Sequence, residues 1–139
     1  MSGPQQKDMF SKRWRQVRAP EPSELQLHIS LIEHLKYRAL PHVTYWHVPN
    51  GELRDKAAAA KLNAMGVLPG VADLVFVWCE PPRDGLLRNL YLELKARGRM
   101  MSPEQNVFAD RMVDVGAYYA CADNIDDALA ILERHGILK

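Results

Sequence analysis

Three residues near the middle of the chain have types and spacing that could do chemistry: Asp73, Glu93 and Lys95. Asp73 opens the apolar run "DLVFVWC" (73–79), and the other two stand two apart in "YLELKARG" (91–98). Side chains alternate along a strand, so Leu90, Leu92 and Leu94 take one face while Tyr91, Glu93 and Lys95 take the other. If residue 79 faces about residue 88 in an antiparallel pair, Asp73 lies opposite about residue 94. Asp73, Glu93 and Lys95 then converge at one end of a sheet. Two carboxylates and the main-chain carbonyl of Leu94 between them make the hard-oxygen set that Mg²⁺ or Mn²⁺ prefers, and the cation offsets their mutual repulsion. A lysine beside them can orient or polarise a water there. That is a hydrolytic constellation for phosphodiesters, in which the metal lowers the water's pKa and neutralises charge developing on the phosphate.

An acid-x-lysine triplet alone is equally a solvent-facing salt-bridge strand. What lifts it is the company it keeps. The loop "GVLPG" (66–70) precedes the first strand, and its Gly66 and Gly70 permit close backbone approach to a ligand. Just past Lys95, Arg97 and Arg99 extend positive charge from the same end, where a phosphate backbone would pass.

The elements that must position these groups are readable from periodicity and caps. Ser23 and Gln26 have capping-box spacing, and Leu25, Ile29, Ile32 and Leu35 recur at helical intervals before Pro41, predicting a helix over 24–39. "VTYWHV" (43–48) reads as a strand ended by the turn "PNG" (49–51), and "RDKAAAAKLNAM" as a small helix closing at Gly66. "DLVFVWC" and "NLYLELK" (89–95) flank the loop "EPPRDGLL" and form an antiparallel hairpin. Ser102, Pro103 and Gln105 fit N-cap, N1 and N3 of a further helix whose apolar side carries Val107, Phe108, Met112 and Val115 up to Gly116. The strand "AYYACA" follows, then a last helix capped by Asp123 or Asn124, bearing Ile125, Leu129 and Leu132 and ended by Gly136. This order implies an α/β fold, with a central mixed sheet and helices on both faces.

Composition bounds the reading. With 139 residues at 47% hydrophobic content the chain fits one domain able to bury its own core, and the net charge of +1 is uninformative as a total. Its distribution is informative: Lys7, Lys12, Arg13, Arg15 and Arg18 face only Asp8 before residue 20, giving a basic arm (1–20) ahead of the domain (21–139). No apolar stretch approaches a membrane span and the start is polar and basic, so a cytoplasmic protein is expected. Cys79 and Cys121 lie in apolar runs, as reduced core thiols would.

Together, "HVPNG", "KLNAMGVLPGVADLVFV" and "YLELKARGRMMSPEQ" resemble the VRR-NUC (virus-type replication-repair nuclease) domain of the PD-(D/E)XK, or restriction-endonuclease-like, superfamily. The resemblance spans about residues 23–135 and implies an αβββαβ core, matching the order above. It implies a divalent-metal-dependent endodeoxyribonuclease with Asp73 and Glu93 as metal ligands, Lys95 as catalytic lysine, and Gln105 placing substrate or water. Glu24 matches the acid of the first helix, with Glu33 on the same helix as the alternative. His47, Asn50 and Arg54 fall in the segment where phosphate or active-site contact is implied. One departure stands out: Ala72 replaces the family's proline before the aspartate. Stand-alone phage and prophage domains of this kind resemble Holliday-junction resolvases, which implies branched DNA as substrate and a homodimer. A non-catalytic DNA-binding or scaffolding module with the same fold is the competing reading, and a hydrolase of small phosphate esters a third.

Overall fold

The computed structural model describes residues 22–49, 56–82 and 84–139. The basic arm, Asn50 and Gly51 of the expected turn, and Arg54 lie outside them. In chain order the elements are α1 (Glu24–Arg38), β1 (Val43–His47), α2 (Lys56–Ala64), β2 (Leu74–Trp78), β3 (Arg88–Leu94), α3 (Pro103–Asp114), β4 (Tyr118–Ala122) and α4 (Ile125–Arg134). Both expected capping boxes form: the Ser23 and Ser102 hydroxyls accept from the backbone of Gln26 and Gln105, whose side chains accept back from the cap N–H groups. Asn124, not Asp123, caps α4.

The sheet runs β1-β2-β3-β4, antiparallel for the first two pairs and parallel between β3 and β4. A parallel neighbour needs a crossover, and α3 supplies it. The hairpin register differs by one residue from the sequence expectation: Leu74 faces Leu92 and Phe76 faces Leu90. The reason is packing. The expected register would have set Leu74 against Glu93, whereas the observed one stacks leucine and phenylalanine on one buried face. A one-residue slip moves a side chain to the other face. Continued one step beyond β2, the observed register therefore puts Asp73 opposite Glu93, on the same side of the sheet.

That buried face carries Leu74, Phe76, Leu90, Leu92 and Leu94, all fully buried, against Leu27, Leu31 and Leu35 of α1 and Ala128 and Leu132 of α4. The stripe on α1 keeps the expected Leu35 and, partly buried, Ile32, but Leu25 and Ile29 are exposed, and Leu27, Leu31 and Leu35, spaced by four, do the packing. The opposite face is covered by α3 through one ring, Phe108, edge-on to Tyr91 at 5.4 Å and to Tyr119 at 6.1 Å. Val107 and Val115, expected on the apolar side of α3, are exposed because the helix touches the sheet so narrowly. Cys121 is exposed as well, correcting its assignment as a core thiol; β4 is an edge strand.

Candidate active site

Asp73 is held by its main chain and by its side chain. Its carbonyl accepts from Val48 N–H at 2.8 Å, continuing the β1–β2 ladder past the strand end, and from His47 Nδ1 at 2.8 Å. A carbonyl only accepts, so His47 carries its proton on Nδ1. The carboxylate is aimed by a third bond, from the Leu94 N–H to Oδ2 at 2.7 Å. His28 of α1 sits edge-on to His47, ring centroids 4.4 Å apart. Burial, then the neighbouring His47, pull the His28 pKa down, with Asp73 acting the other way.

Glu93 is the one charged residue of the described core, 2% exposed. Gln105 Nε2 donates to its Oε1 at 2.6 Å, and Lys95 Nζ stands 3.7 Å from the same oxygen. Oε2 is buried with no hydrogen-bond partner. Burial first, then repulsion from Asp73, push the Glu93 carboxyl up to about 8; Lys95 opposes the shift and Glu24 adds to it. The aim of Gln105 is set by its cap. Because its Oε1 accepts from the Ser102 N–H at 2.8 Å, its amide NH₂ is left to face Glu93.

Among the described residues no cluster of three or more His, Cys, Asp and Glu side chains could enclose a metal ion. The donor chemistry suits a sparser ligation. Mg²⁺ keeps several waters and uses one or two carboxylates with substrate phosphate oxygens. Glu93 offers a buried oxygen that no donor faces, beside a second carboxylate whose charge repels its own. Asp73 and Glu93 thus offer oxygen donors of the kind a hard divalent cation takes.

The remaining expected residues fall in different places. Glu24 acts electrostatically on Glu93, whereas Glu33 is exposed and paired with Lys36 at 3.3 Å. Gly70, expected to admit a ligand, instead admits α3: a Cβ there would lie 2.8 Å from Gln105 N and closer still to the Glu104 carbonyl, at a φ of +80°. That glycine seats the helix that carries Gln105. Arg99 is exposed. Arg97 lines a cleft of about 250 Å³ between the N-terminal ends of α1 and α4, with Gln26, Ser30 and Asp123. Asn50 and Arg54 lie outside the described residues.

Sequence reasoning missed three neighbours of the site. His28 follows Glu24 by four, one helical turn on, and that spacing was a usable signal. Cys121 pairs with Glu93 across the parallel ladder, and Tyr119 precedes it by two on the same face. Nothing local reveals a β3–β4 register. Burial first, then the charge of Glu93, raise the Tyr119 phenol well above its ordinary value.

The fold is a mixed α/β one, a four-stranded sheet with helices on both faces, and it gathers two carboxylates, a lysine and a glutamine at one strand end. No family model matches the chain, and no curated protein sequence does. A solved structure described as "VRR_NUC domain protein" superposes with a TM-score of 0.61 at 19% identity, over 81% of this chain and 87% of that chain. The chain has a VRR-NUC-like fold. Among the described residues no helix is long and apolar enough to cross a membrane.

Proposed function

We propose that the protein is a divalent-metal-dependent endonuclease that hydrolyses phosphodiester bonds of DNA. The observation that carries this reading is Glu93: a buried carboxylate with one oxygen held by Gln105 and approached by Lys95, the other without a partner, and Asp73 in register beside it. Asp73, Glu93 and the Leu94 carbonyl are the groups that would hold Mg²⁺ or Mn²⁺. Such a cation, when bound, supplies Lewis-acid stabilisation of the charge that develops on the phosphate.

The chain's own residues do the rest. The Leu94 N–H and the Asp73 carbonyl bonds fix the first carboxylate before substrate arrives, so little reorganisation is needed at reaction. Gln105 fixes Glu93 from the α3 side. Lys95, only 14% exposed at its side chain, presents an ammonium that can orient the attacking water and balance the phosphate's charge. His47, with its proton spent on the Asp73 carbonyl, acts by placing Asp73. Arg97 and Arg99 follow Lys95 on the outgoing chain and are assigned to the phosphate backbone of DNA. Branched DNA as substrate and a homodimer as the acting form complete the proposal, since a two-fold dimer matches the symmetry of a four-way junction.

The test is gel-resolved cleavage of end-labelled four-way junction, flap and linear duplex with Mg²⁺, Mn²⁺ or chelator, comparing the unaltered chain with Lys95→Ala. Metal-dependent cuts placed symmetrically in the junction are expected. Lys95→Ala should slow them by about a hundredfold or more, the scale of removing one charge-stabilising group. Cleavage that persists in chelator, or that Lys95→Ala leaves untouched, rejects the assigned site. Asymmetric cuts, or a monomeric mass in solution, reject the dimeric junction form alone.

A further inference from the structure

Three buried side-chain polar atoms among the described residues have no hydrogen-bond partner: His42 Nε2, Glu93 Oε2 and the Tyr119 hydroxyl. The last two belong together. Tyr119 pairs with Tyr91 and Cys121 with Glu93, so Tyr119 is the diagonal neighbour of Glu93 on the face that α3 covers. Diagonal neighbours on one face lie within reach of an aromatic side chain. The tyrosine ring rests edge-on against Phe108, three residues beyond Gln105 in α3. Residues three apart share a side of a helix, so one side of α3 both aims Gln105 at Glu93 Oε1 and clamps Tyr119.

The Tyr119 hydroxyl can donate or accept, so it can complement Glu93 Oε2 whether that oxygen is ionised or carries the proton, and the Glu93 charge is felt at the Tyr119 phenol. Buried polar groups left unmatched are costly, and a water bridging two of them is the usual remedy. We infer that Tyr119 is a positioning residue for Glu93, its hydroxyl reaching one lone pair of Oε2 through one ordered water, leaving the other lone pair open, and holding the carboxylate in the plane that Gln105 sets from the other side. Groups that orient a metal ligand in this way tune affinity without touching the metal. The inference rests on the reading of Glu93 as a metal ligand for one of its two readouts only.

The experiment uses the full chain as the unaltered protein, Tyr119→Phe, Glu93→Gln and the double variant. Thermal midpoints are measured without metal, and Mn²⁺ binding by calorimetry. Tyr119→Phe should weaken Mn²⁺ binding roughly tenfold, as loss of a ligand-orienting partner does. It should also lower the melting temperature, by less than half as much in the Glu93→Gln background, because coupled neighbours are non-additive. Unchanged Mn²⁺ affinity, or equal melting losses in both backgrounds, overturns the inference and leaves Tyr119 a packing residue. If the unaltered protein takes up no Mn²⁺, the metal reading above fails instead, and the melting cycle alone decides on Tyr119.

Discussion

β3 presents two faces that are energetically opposite. Leu90, Leu92 and Leu94 are fully buried against α1 and α4, while Glu93, between two of them in sequence, is 2% exposed and points under α3. Each buried leucine contributes about 1.5–3 kcal/mol through the water it sheds. Glu93 does the reverse, since a carboxylate taken from water with one oxygen unmatched opposes folding. The comparison teaches that one face makes the other possible: three leucines on the same strand carry a residue that weakens the fold at the candidate site.

The comparison breaks first at Leu92. Leu92→Ala leaves a cavity between the sheet and the helices and should cost about 2–5 kcal/mol in urea unfolding. A loss under about 1 kcal/mol, the scale of an ordinary surface change, would mean the leucine face is not what holds the strand.

Glu93 gives the next largest effect, and it depends on pH. Its carboxyl is raised from an ordinary value near 4.5 to about 8 by burial and by Asp73. Between those values the folded state holds a proton that the unfolded state has released. The contribution of Glu93 to stability without metal therefore falls as pH rises from about 4.5 to about 8, and is level on either side. Glu93→Gln lacks that slope. It should match the unaltered protein near pH 4 and exceed it by roughly 1–3 kcal/mol near pH 9. Adding Mg²⁺ at high pH should raise only the unaltered protein. Parallel stability curves for the two chains would show that Glu93 ionises as freely when folded as when unfolded.

Much of this arrangement is legible in the chain itself, and the illegible part has a common cause. Caps, strand ends and element order follow from local chemistry, and Ser102-Pro103-Gln105 even announces the side chain that turns to Glu93. Long-range choices do not announce themselves. The one-residue offset in the hairpin arises because the nine residues between Trp78 and Arg88 leave the register to packing, and packing chooses Phe76 against Leu90. The face of α1 is legible only at its C-terminal half, at Ile32 and Leu35, since leucines and isoleucines occur all around the helix and only contact with the sheet selects Leu27 and Leu31 over Leu25 and Ile29. Gly70 was legible as a close approach but not as to what, because α3 arrives from over thirty residues later. Tyr119 and Cys121 depend on a parallel pairing that no turn encodes.

Helix geometry sharpens the last distinction, between Glu24 and Glu33. At about 100° per residue, positions nine apart project some 180° from each other, so the two acids cannot face the same neighbour. Once the buried stripe is Leu27, Leu31 and Leu35, Glu24 continues it by one turn toward the end of the sheet, while Glu33 points to solvent and meets Lys36. Glu24 is itself exposed, so its influence on the site crosses water and should be modest and screened by salt. Glu24→Gln should weaken Mn²⁺ binding by about two- to fivefold at low ionic strength, an effect under 1 kcal/mol that shrinks at about 0.5 M salt. Glu33→Gln should leave it unchanged at either. Calorimetric titration of both variants decides between them: equal weakening would mean that α1 acts through net charge alone, and a larger loss at Glu33 would turn the helix the other way.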